Sequence, residues 1–422
     1  MSTAPPEQSR LTSPWQSRPF ALLTTGSMIG SFGGALTPVA IAFAVLSLGG
    51  GATELGLVVA AYAVAEIATL LLGGVLGDRL PRAAVVQGSA LASGAIQIVL
   101  GLSLIQGWSS LGLVALMSAA TGMVGSLSIP SASAMTQQSV PGYLLRRAIV
   151  IRRFSTNTAT VIGSGAGGML VAAVGPGWAI LIDGITYLVS AALLTFVRLP
   201  RPGAEKGHSL LADAVIGARE VLRHTWLWVL IGVALIYHLF YASAQGVLGP
   251  IVVQMGYGEA AWGWTLASVT VGFMAAGLLT LRWLPRRALF VGTAFLVLAA
   301  GFPAALAANL NLGLVLFGAF VHGFGLEVFS VAWDLSIQEN VDPDKLARVY
   351  AFDVVGSFIA RPLGLAMTGP VADAVGYSTW LWIVAGVIVV TILGALTVRP
   401  IRQLERKLPR RTNDPEPEPA SG

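Results

Sequence analysis

Five ionisable side chains fall nearest the middle of long apolar stretches of the sequence and could do chemistry inside a membrane. They are Glu66, His238, His322, Glu327 and Arg361. An ionisable group at membrane depth is costly unless it is paired, and such groups commonly mark ion or substrate paths. A carboxyl or an imidazole at that depth can take up and release a proton. The sequence therefore predicts proton exchange at one or more of these positions.

Glu327 is the first candidate for a proton carrier, and Glu66 is the second. A stripe with the spacing of one helix face contains Glu327, Val331, Asp334 and Gln338. The alternative for Glu327 is a permanent ion pair with Arg361 or another base. For Glu66, proton exchange and permanent pairing are equally supported.

The remaining buried titratable groups have weaker assignments. His238 and His322 fit proton carriers and hydrogen-bonded packing residues equally well. Asp353 and Arg361 are expected to form an inter-helical pair with a structural or gating role. Asp183 falls near the outer end of its apolar stretch and is expected to be peripheral.

The composition shows what kind of protein must position these groups. The chain has 422 residues, of which 55% are hydrophobic and only 11% are charged, whereas a soluble domain has about 25% charged residues. This excludes a soluble enzyme, a disordered protein and a disulfide-rich secreted domain. The absence of cysteine excludes thiol catalysis and Cys-ligated metals. No phosphate-binding loop or nucleophile elbow is present either, so we expect no cofactor and no enzymatic activity.

Twelve stretches are long and apolar enough to be transmembrane helices. They lie near 20–47, 55–77, 84–105, 111–135, 154–174, 178–197, 226–252, 262–284, 288–309, 311–335, 349–372 and 379–398. Lys and Arg concentrate in the even-numbered connections, and the odd-numbered ones contain neither. By the positive-inside rule both termini are cytoplasmic, in a bacterial-type cell membrane. The net charge of +5 follows from this topology and does not indicate nucleic-acid binding.

The chain divides into two halves of six helices. The predicted parts are a cytoplasmic segment 1–17, an N-terminal half 18–197, a linker 198–225, a C-terminal half 226–400 and a disordered cytoplasmic tail 401–422. The linker contains an amphipathic helix expected on the membrane surface. Leu170-Val-Ala-Ala-Val-Gly recurs 201 positions later as Val371-Ala-Asp-Ala-Val-Gly. This repeat indicates two related halves.

The loop between helices 2 and 3 resembles the signature of the major facilitator superfamily. Its matching residues are Gly74, Asp78, Arg79 and Arg82, with Pro81 where the family has glycine. The wider sequence is similar to the branch of macrolide-efflux proteins and the enterobactin exporter. The resemblance implies an all-α membrane fold with twelve transmembrane helices in two pseudo-symmetric halves. It also implies that the loop is a gating latch closing the cytoplasmic side; the alternative, plain positive-inside topology, accounts for the arginines but not for Asp78.

Helix 5 carries a run of glycines that resembles the family's antiporter motif. The matching residues are Gly163, Gly167 and Gly168, with Ser164 where proline is usual. The implied role is bending of the helix during gating. The alternative is ordinary close packing of small residues between helices.

The same resemblance implies that helices 1, 4, 7 and 10 line a central cavity. The substrate-cavity candidates on these helices are Tyr241, Gln245, Phe329 and Trp333. Two departures bear on proton coupling. Ser118 stands where many proton-coupled relatives have arginine in helix 4, and Gly33-Gly34 stands where branch members often have aspartate in helix 1.

These observations predict a secondary active exporter of lipophilic or amphiphilic molecules, drugs or natural products, driven by proton antiport. The expected partners are a small-molecule substrate, protons and membrane lipid, and the protein is expected to be monomeric. The alternatives are a metabolite importer or facilitator on the same fold and a non-transporting receptor with a transporter-like fold.

Overall fold

The computed structural model describes residues 11–197, 210–283, 285–342 and 345–406. For residues 71–79 and 210–216 and for Ala347 it describes the backbone alone. The first part of the predicted linker, most of the predicted tail and the side chains of the predicted latch therefore lie outside the described residues. The latch side chains concerned are those of Asp78 and Arg79, and Gly74 lies in the same backbone-only segment.

Twelve segments are long and apolar enough to cross a membrane, which confirms the predicted number. We call them spans 1 to 12. Spans 1 to 6 are Arg18–Ser47, Ala52–Arg79, Arg82–Ile105, Leu111–Gln138, Gly142–Val174 and Pro176–Leu194. Spans 7 to 12 are Thr225–Tyr257, Glu259–Arg282, Ala288–Ala307, Leu312–Asn340, Arg348–Val375 and Tyr377–Thr397. No strand occurs in the part of the chain that the structure describes.

Three spans of the C-terminal half are interrupted. Span 7 contains a π-helical segment at Ala244–Leu248, and span 9 contains a 3₁₀ segment at Leu296–Ala300. Span 11 consists of two helices, Leu346–Phe358 and Arg361–Val375. The described spans of the N-terminal half are each one continuous helix, although Pro38 lies inside span 1 and Pro130 inside span 4.

Because the number of spans is even, both ends of the bundle emerge on one side, which we call the terminal face. The six connections on the other side, the opposite face, share one feature. Each contains a single residue with left-handed backbone geometry, which favours glycine and is tolerated by asparagine. These residues are Gly49, Gly107, Gly175, Gly258, Asn309 and Gly376. The opposite face is therefore closed by short turns.

Span 5 begins earlier than its hydropathy predicts. We expected its apolar stretch near residue 154, but the helix starts at Gly142, after Pro141. The intervening residues include Arg146, Arg147, Arg152 and Arg153, which lower the hydropathy without breaking a helix because arginine has high helix propensity. Four arginines expected in a loop thus project from a helix whose first turns extend beyond its apolar part.

Paired glycine contacts show the relation between the halves. A side chain at Gly163 of span 5 would overlap the carbonyl oxygen of Phe32 in span 1. A side chain at Gly364 of span 11 would overlap the carbonyl oxygen of Leu239 in span 7. The two glycines are 201 positions apart and their partners 207 apart. Equivalent spans therefore make equivalent backbone contacts in the two halves.

A second glycine pair joins one half to the other near the opposite face. A Cβ at Gly168 would lie 2.6 Å from the carbonyl oxygen of Ala260 in span 8. A Cβ at Gly369, again 201 positions later, would overlap the backbone of Thr53 in span 2. Small residues at helix contacts let backbones approach closely. The two halves consequently meet backbone to backbone along spans 5 and 8 and along spans 2 and 11.

The amphipathic helix predicted within the linker is Leu210–Arg223, which we call the surface helix. It packs on the C-terminal half, where Gly217 lies against the backbone of Arg348. Its buried Glu220 binds Lys345, with Nζ 3.3 Å from Oε2. Asp342 and Glu220 accept hydrogen bonds from Lys345 and raise the pKa of that ammonium group. The surface helix is therefore tied to the start of span 11.

Candidate functional site

A central cavity of about 590 Å³ lies between the two halves. This volume is within the range of small-molecule sites. Lining residues come from spans 1 to 8 and span 11, and none of those described comes from span 10. The expectation that span 10 lines the cavity is therefore wrong. Its aromatic side chains point instead into the C-terminal half.

Three of the candidates from the sequence do line the central cavity. They are Glu66, Gln245 and Arg361. Gln245 lies in the π-helical segment of span 7, a geometry that is frequent at functional sites. The apolar part of the lining includes Trp262, Leu266 and Phe273.

Glu66 and Arg361 form an ion pair that crosses from one half to the other. Oε2 of Glu66 on span 2 is 3.5 Å from Nη1 of Arg361 on span 11, and the two side chains are 28% and 34% exposed. At this exposure the pair contributes about 0–1 kcal/mol. It is therefore weak enough to open when one partner changes charge.

Arg153 and Glu327 form a second crossing pair of opposite polarity. Nη2 of Arg153 on span 5 donates to Oε1 of Glu327 on span 10 at 2.8 Å. Glu327 is mostly buried, with 12% of its side chain exposed, whereas Arg153 is 62% exposed. The base that pairs with Glu327 is thus Arg153 and not Arg361. Arg153 was assigned no role from the sequence.

Asp353 and Arg361 are not paired with each other, which corrects the sequence expectation. Asp353 accepts hydrogen bonds from Nε1 of Trp333 at 3.0 Å and from the Ser357 hydroxyl at 3.1 Å. The carboxyl is satisfied by neutral donors within the C-terminal half. The gating pair expected on span 11 is replaced by the crossing pair of Arg361 with Glu66.

His322 is a fully bonded packing residue. Its Nδ1 lies 3.2 Å from the carbonyl oxygen of Ala299, and its Nε2 lies 3.2 Å from the hydroxyl of Tyr237. The ring is stacked on Tyr241, with the centroids 4.1 Å apart. His238 bonds to the carbonyl of Ala234 on its own helix at 2.8 Å. Of the two interpretations for these histidines, the contacts favour packing.

The other aromatic cavity candidates belong to the same buried cluster. Tyr241, Phe329 and Trp333 are at most 9% exposed, and none lines the central cavity. Phe329 and Trp333 stack on each other within span 10, and Trp333 meets Trp226 edge to face. Their assignment to the substrate cavity is wrong because the face that carries them turns toward the core of the C-terminal half.

Asp183 is the functional candidate that sequence reasoning missed. It is fully buried in span 6 and lies beside the central cavity, so the expectation that it is peripheral is wrong. Its Oδ2 accepts hydrogen bonds from the Thr37 hydroxyl at 2.5 Å and from Nε2 of Gln97 at 2.8 Å. The sequence signal that could have found it is an aspartate seven residues inside an otherwise apolar helix.

The glycines of span 5 are buried in helix contacts. Gly163 and Gly167 face span 1, and Gly168 faces span 8. These contacts fit the packing interpretation, and the bending role stays a prediction. The gating role of Asp78, Arg79 and Arg82 also stays a prediction.

A second cavity of about 710 Å³ lies within the N-terminal half toward the terminal face. Its lining is rich in hydroxyls, including Ser89, Ser133 and Thr156. Arg152 reaches into it and donates to the hydroxyl of Ser27 at 3.2 Å. Water and polar groups can therefore reach deep into this half from the terminal face. Among the described residues no cluster of His, Asp and Glu is arranged to hold a metal ion.

Comparisons with known proteins bear on this architecture. A family model described as Major Facilitator Superfamily matches residues 22–309. The multidrug efflux pump Tap of Mycolicibacterium fortuitum is 27% identical over 380 residues, which cover 86% of this chain and 90% of that protein.

Solved structures with a similar fold include a POT family transporter in complex with 5-aminolevulinic acid and the nucleoside transporter NupG. The first has a TM-score of 0.73 at 13% identity and covers 92% of this chain and 97% of that one. The second has a TM-score of 0.70 at 11% identity and covers 90% and 98%. At these identities the likeness extends to the fold alone.

Proposed function

This chain belongs to the Major Facilitator Superfamily, and we propose that it exports lipophilic or amphiphilic small molecules, drugs or natural products, in exchange for protons. It is a multi-pass integral membrane transporter and not an enzyme. The observation that carries the proposal is the central cavity, which both halves line and which Glu66 and Arg361 cross. The printed name of the relative, a multidrug efflux pump, supports drug export.

The lining of the central cavity favours an amphiphilic substrate. Aromatic and aliphatic side chains, among them Trp262 and Phe273, provide most of the surface, and a few polar groups are placed among them. Such a combination is typical of small-molecule sites. Two carboxyls, Glu66 and Asp183, stand against one guanidinium, Arg361. When Asp183 is ionised, this surplus of acid favours a substrate that carries a positive charge.

The two crossing ion pairs suggest how a proton changes the contact between the halves. Protonation of Glu66 or Glu327 removes the negative partner of an arginine on the other half. A weak pair then opens, and the halves rock around the central cavity. In this scheme the glycine contacts near the opposite face separate when the cavity opens to that side, and Asp78 latches the terminal face.

We assign the terminal face to the cytoplasm. The even-numbered connections and the surface helix bear the Lys and Arg residues, and the six turns of the opposite face bear none. Export then runs from the terminal face, where the hydroxyl-rich cavity of the N-terminal half lies, to the opposite face.

Accumulation of ethidium, a fluorescent lipophilic cation, tests the proposal. Bacterial cells with and without the protein are compared, each with and without an uncoupler. We expect several-fold lower accumulation in cells that contain the protein, and equal accumulation after the uncoupler. Equal accumulation in all four cases contradicts export, and higher accumulation with the protein indicates an importer. A non-transporting receptor predicts that Asp78→Ala and Glu327→Gln change no flux.

A further inference from the structure

The fully buried carboxyl of Asp183 has one oxygen with no partner. Oδ2 accepts two hydrogen bonds, from Thr37 and Gln97, but Oδ1 is buried and makes no hydrogen bond. No Lys, Arg or His forms an ion pair with Asp183 among the described residues. An ionised carboxylate buried without a cation is costly. The site therefore needs a proton or a small cation to become neutral.

The surroundings of Oδ1 leave room only for something very small. It faces Gly33 of span 1, and a Cβ at Gly33 would lie 2.6 Å from Oδ1. The hydroxyl of Thr186 is a third neutral group beside this carboxyl, but it donates to the backbone carbonyl of Asp183 at 2.8 Å and leaves Oδ1 without a hydrogen bond. A proton fits this space without displacing either span.

Two tyrosines are the titratable groups near Asp183, and one of them connects it to the pair of Glu66 and Arg361. They are Tyr187 on the same span and Tyr62 on span 2. Spans 1 and 3, which also pack against Asp183, contribute the neutral Thr37 and Gln97. Tyr62 also lies within reach of the charges on Glu66 and Arg361.

Resting on the proposed function, we propose that Asp183 binds a proton that this protein exchanges for substrate, in addition to the proton taken up at a crossing pair. The carboxyl joins three spans, since its partners Thr37 and Gln97 lie on spans 1 and 3. Hydrogen bonds to an ionised acceptor are roughly twice as strong as those between neutral groups. Protonation at Oδ1 therefore loosens span 1 from spans 3 and 6, and release of the proton tightens it again. The proton enters from water on the opposite face and leaves toward the terminal face.

Asp183→Asn tests this assignment, because asparagine keeps an oxygen that accepts from Thr37 but cannot exchange a proton. Proteoliposomes are assayed for ethidium accumulation driven by a pH gradient and for ethidium exchange without one. We expect the ratio of gradient-driven accumulation to exchange to fall about tenfold. The control is Glu405→Gln, which removes an exposed carboxyl that pairs with Arg287 outside the contact between the halves; it keeps the ratio of the wild type.

A second variant, Thr37→Val, tests the same assignment if Asp183→Asn does not fold. Thr37→Val removes one donor to the ionised carboxyl, so the pH at which gradient-driven transport is half-maximal moves upward. An unchanged pH profile in this variant, or an unchanged ratio in folded Asp183→Asn, overturns the assignment. Transport by the wild type that follows a sodium gradient and not a pH gradient overturns the proton as occupant. If the wild type moves no ethidium under any gradient, the proposed function itself fails. The other outcomes contradict only the assignment of Asp183 or of the proton and leave the proposed function standing.

Discussion

Glu66 and Arg361 lie at the same depth in the bundle, each fourteen residues from the end of its span at the opposite face. At 1.5 Å per residue this depth is about 21 Å. The two residues belong to different halves and bind each other across the central cavity. A change of charge at this one level acts on the contact between the halves.

Glu66→Gln removes the charge while keeping the shape of the side chain. Because Arg361 is left without its acidic partner at membrane depth, we expect the free energy of unfolding to fall by about 1–3 kcal/mol. We also expect a large loss of pH-gradient-driven ethidium transport, measured in proteoliposomes. Glu405→Gln is the control, since it breaks an exposed pair with Arg287 that lies far from the cavity. Equal transport in the two variants contradicts a coupling role for Glu66.

Gly168→Ala introduces a methyl group into the contact between spans 5 and 8. The new Cβ would lie 2.6 Å from the carbonyl oxygen of Ala260, so one span must shift. Overpacking of this kind costs about 1–3 kcal/mol. We expect a lower unfolding temperature and several-fold slower export. Gly386→Ala on span 12 meets no atom within 4 Å and is expected to change neither quantity.

Single-cysteine labelling tests the assignment of faces, and the absence of native cysteine makes the result unambiguous. Ser133→Cys lies exposed in the cavity at the terminal face, and Gln106→Cys lies in an exposed turn at the opposite face. In intact cells we expect a membrane-impermeant maleimide to label Gln106→Cys alone. In inverted vesicles we expect it to label Ser133→Cys alone. The reverse pattern places the terminal face outside.

His322→Leu separates packing from proton exchange. The change leaves the hydroxyl of Tyr237 and the carbonyl of Ala299 without their partner. An unsatisfied buried polar group costs about 1–3 kcal/mol. Denaturation in detergent should therefore show a loss of stability, whereas the pH profile of transport stays that of the wild type. A changed profile with unchanged stability indicates that the imidazole exchanges protons. His238→Leu is the comparison, and its smaller effect is expected because Ala234 keeps its helical hydrogen bond.

The number of spans, their order and the division into halves could be predicted from the sequence, because hydropathy and the placement of arginine depend on the membrane alone. Counting residues from the helix ends also predicted that Glu327 and Glu66 lie deep in the membrane. The sequence could not identify their partners, since helical spacing gives the face of one helix and not the helix that this face meets. In the structure, Glu327 binds Arg153 and Asp353 binds Trp333, and neither partner was predicted. Asp183 was expected to be peripheral because a count from the helix end gives depth and says nothing of burial.

The interruptions of the spans are distributed unequally between the halves. In the described residues, all three lie in the C-terminal half: the π-helical segment Ala244–Leu248, the 3₁₀ segment Leu296–Ala300 and the break before Arg361. Changes in helical hydrogen bonding are points where a helix can bend or change register. The N-terminal half is therefore the more rigid of the two halves. The C-terminal half has three points at which a span can bend. Two of these points place Gln245 and Arg361 in the lining of the central cavity.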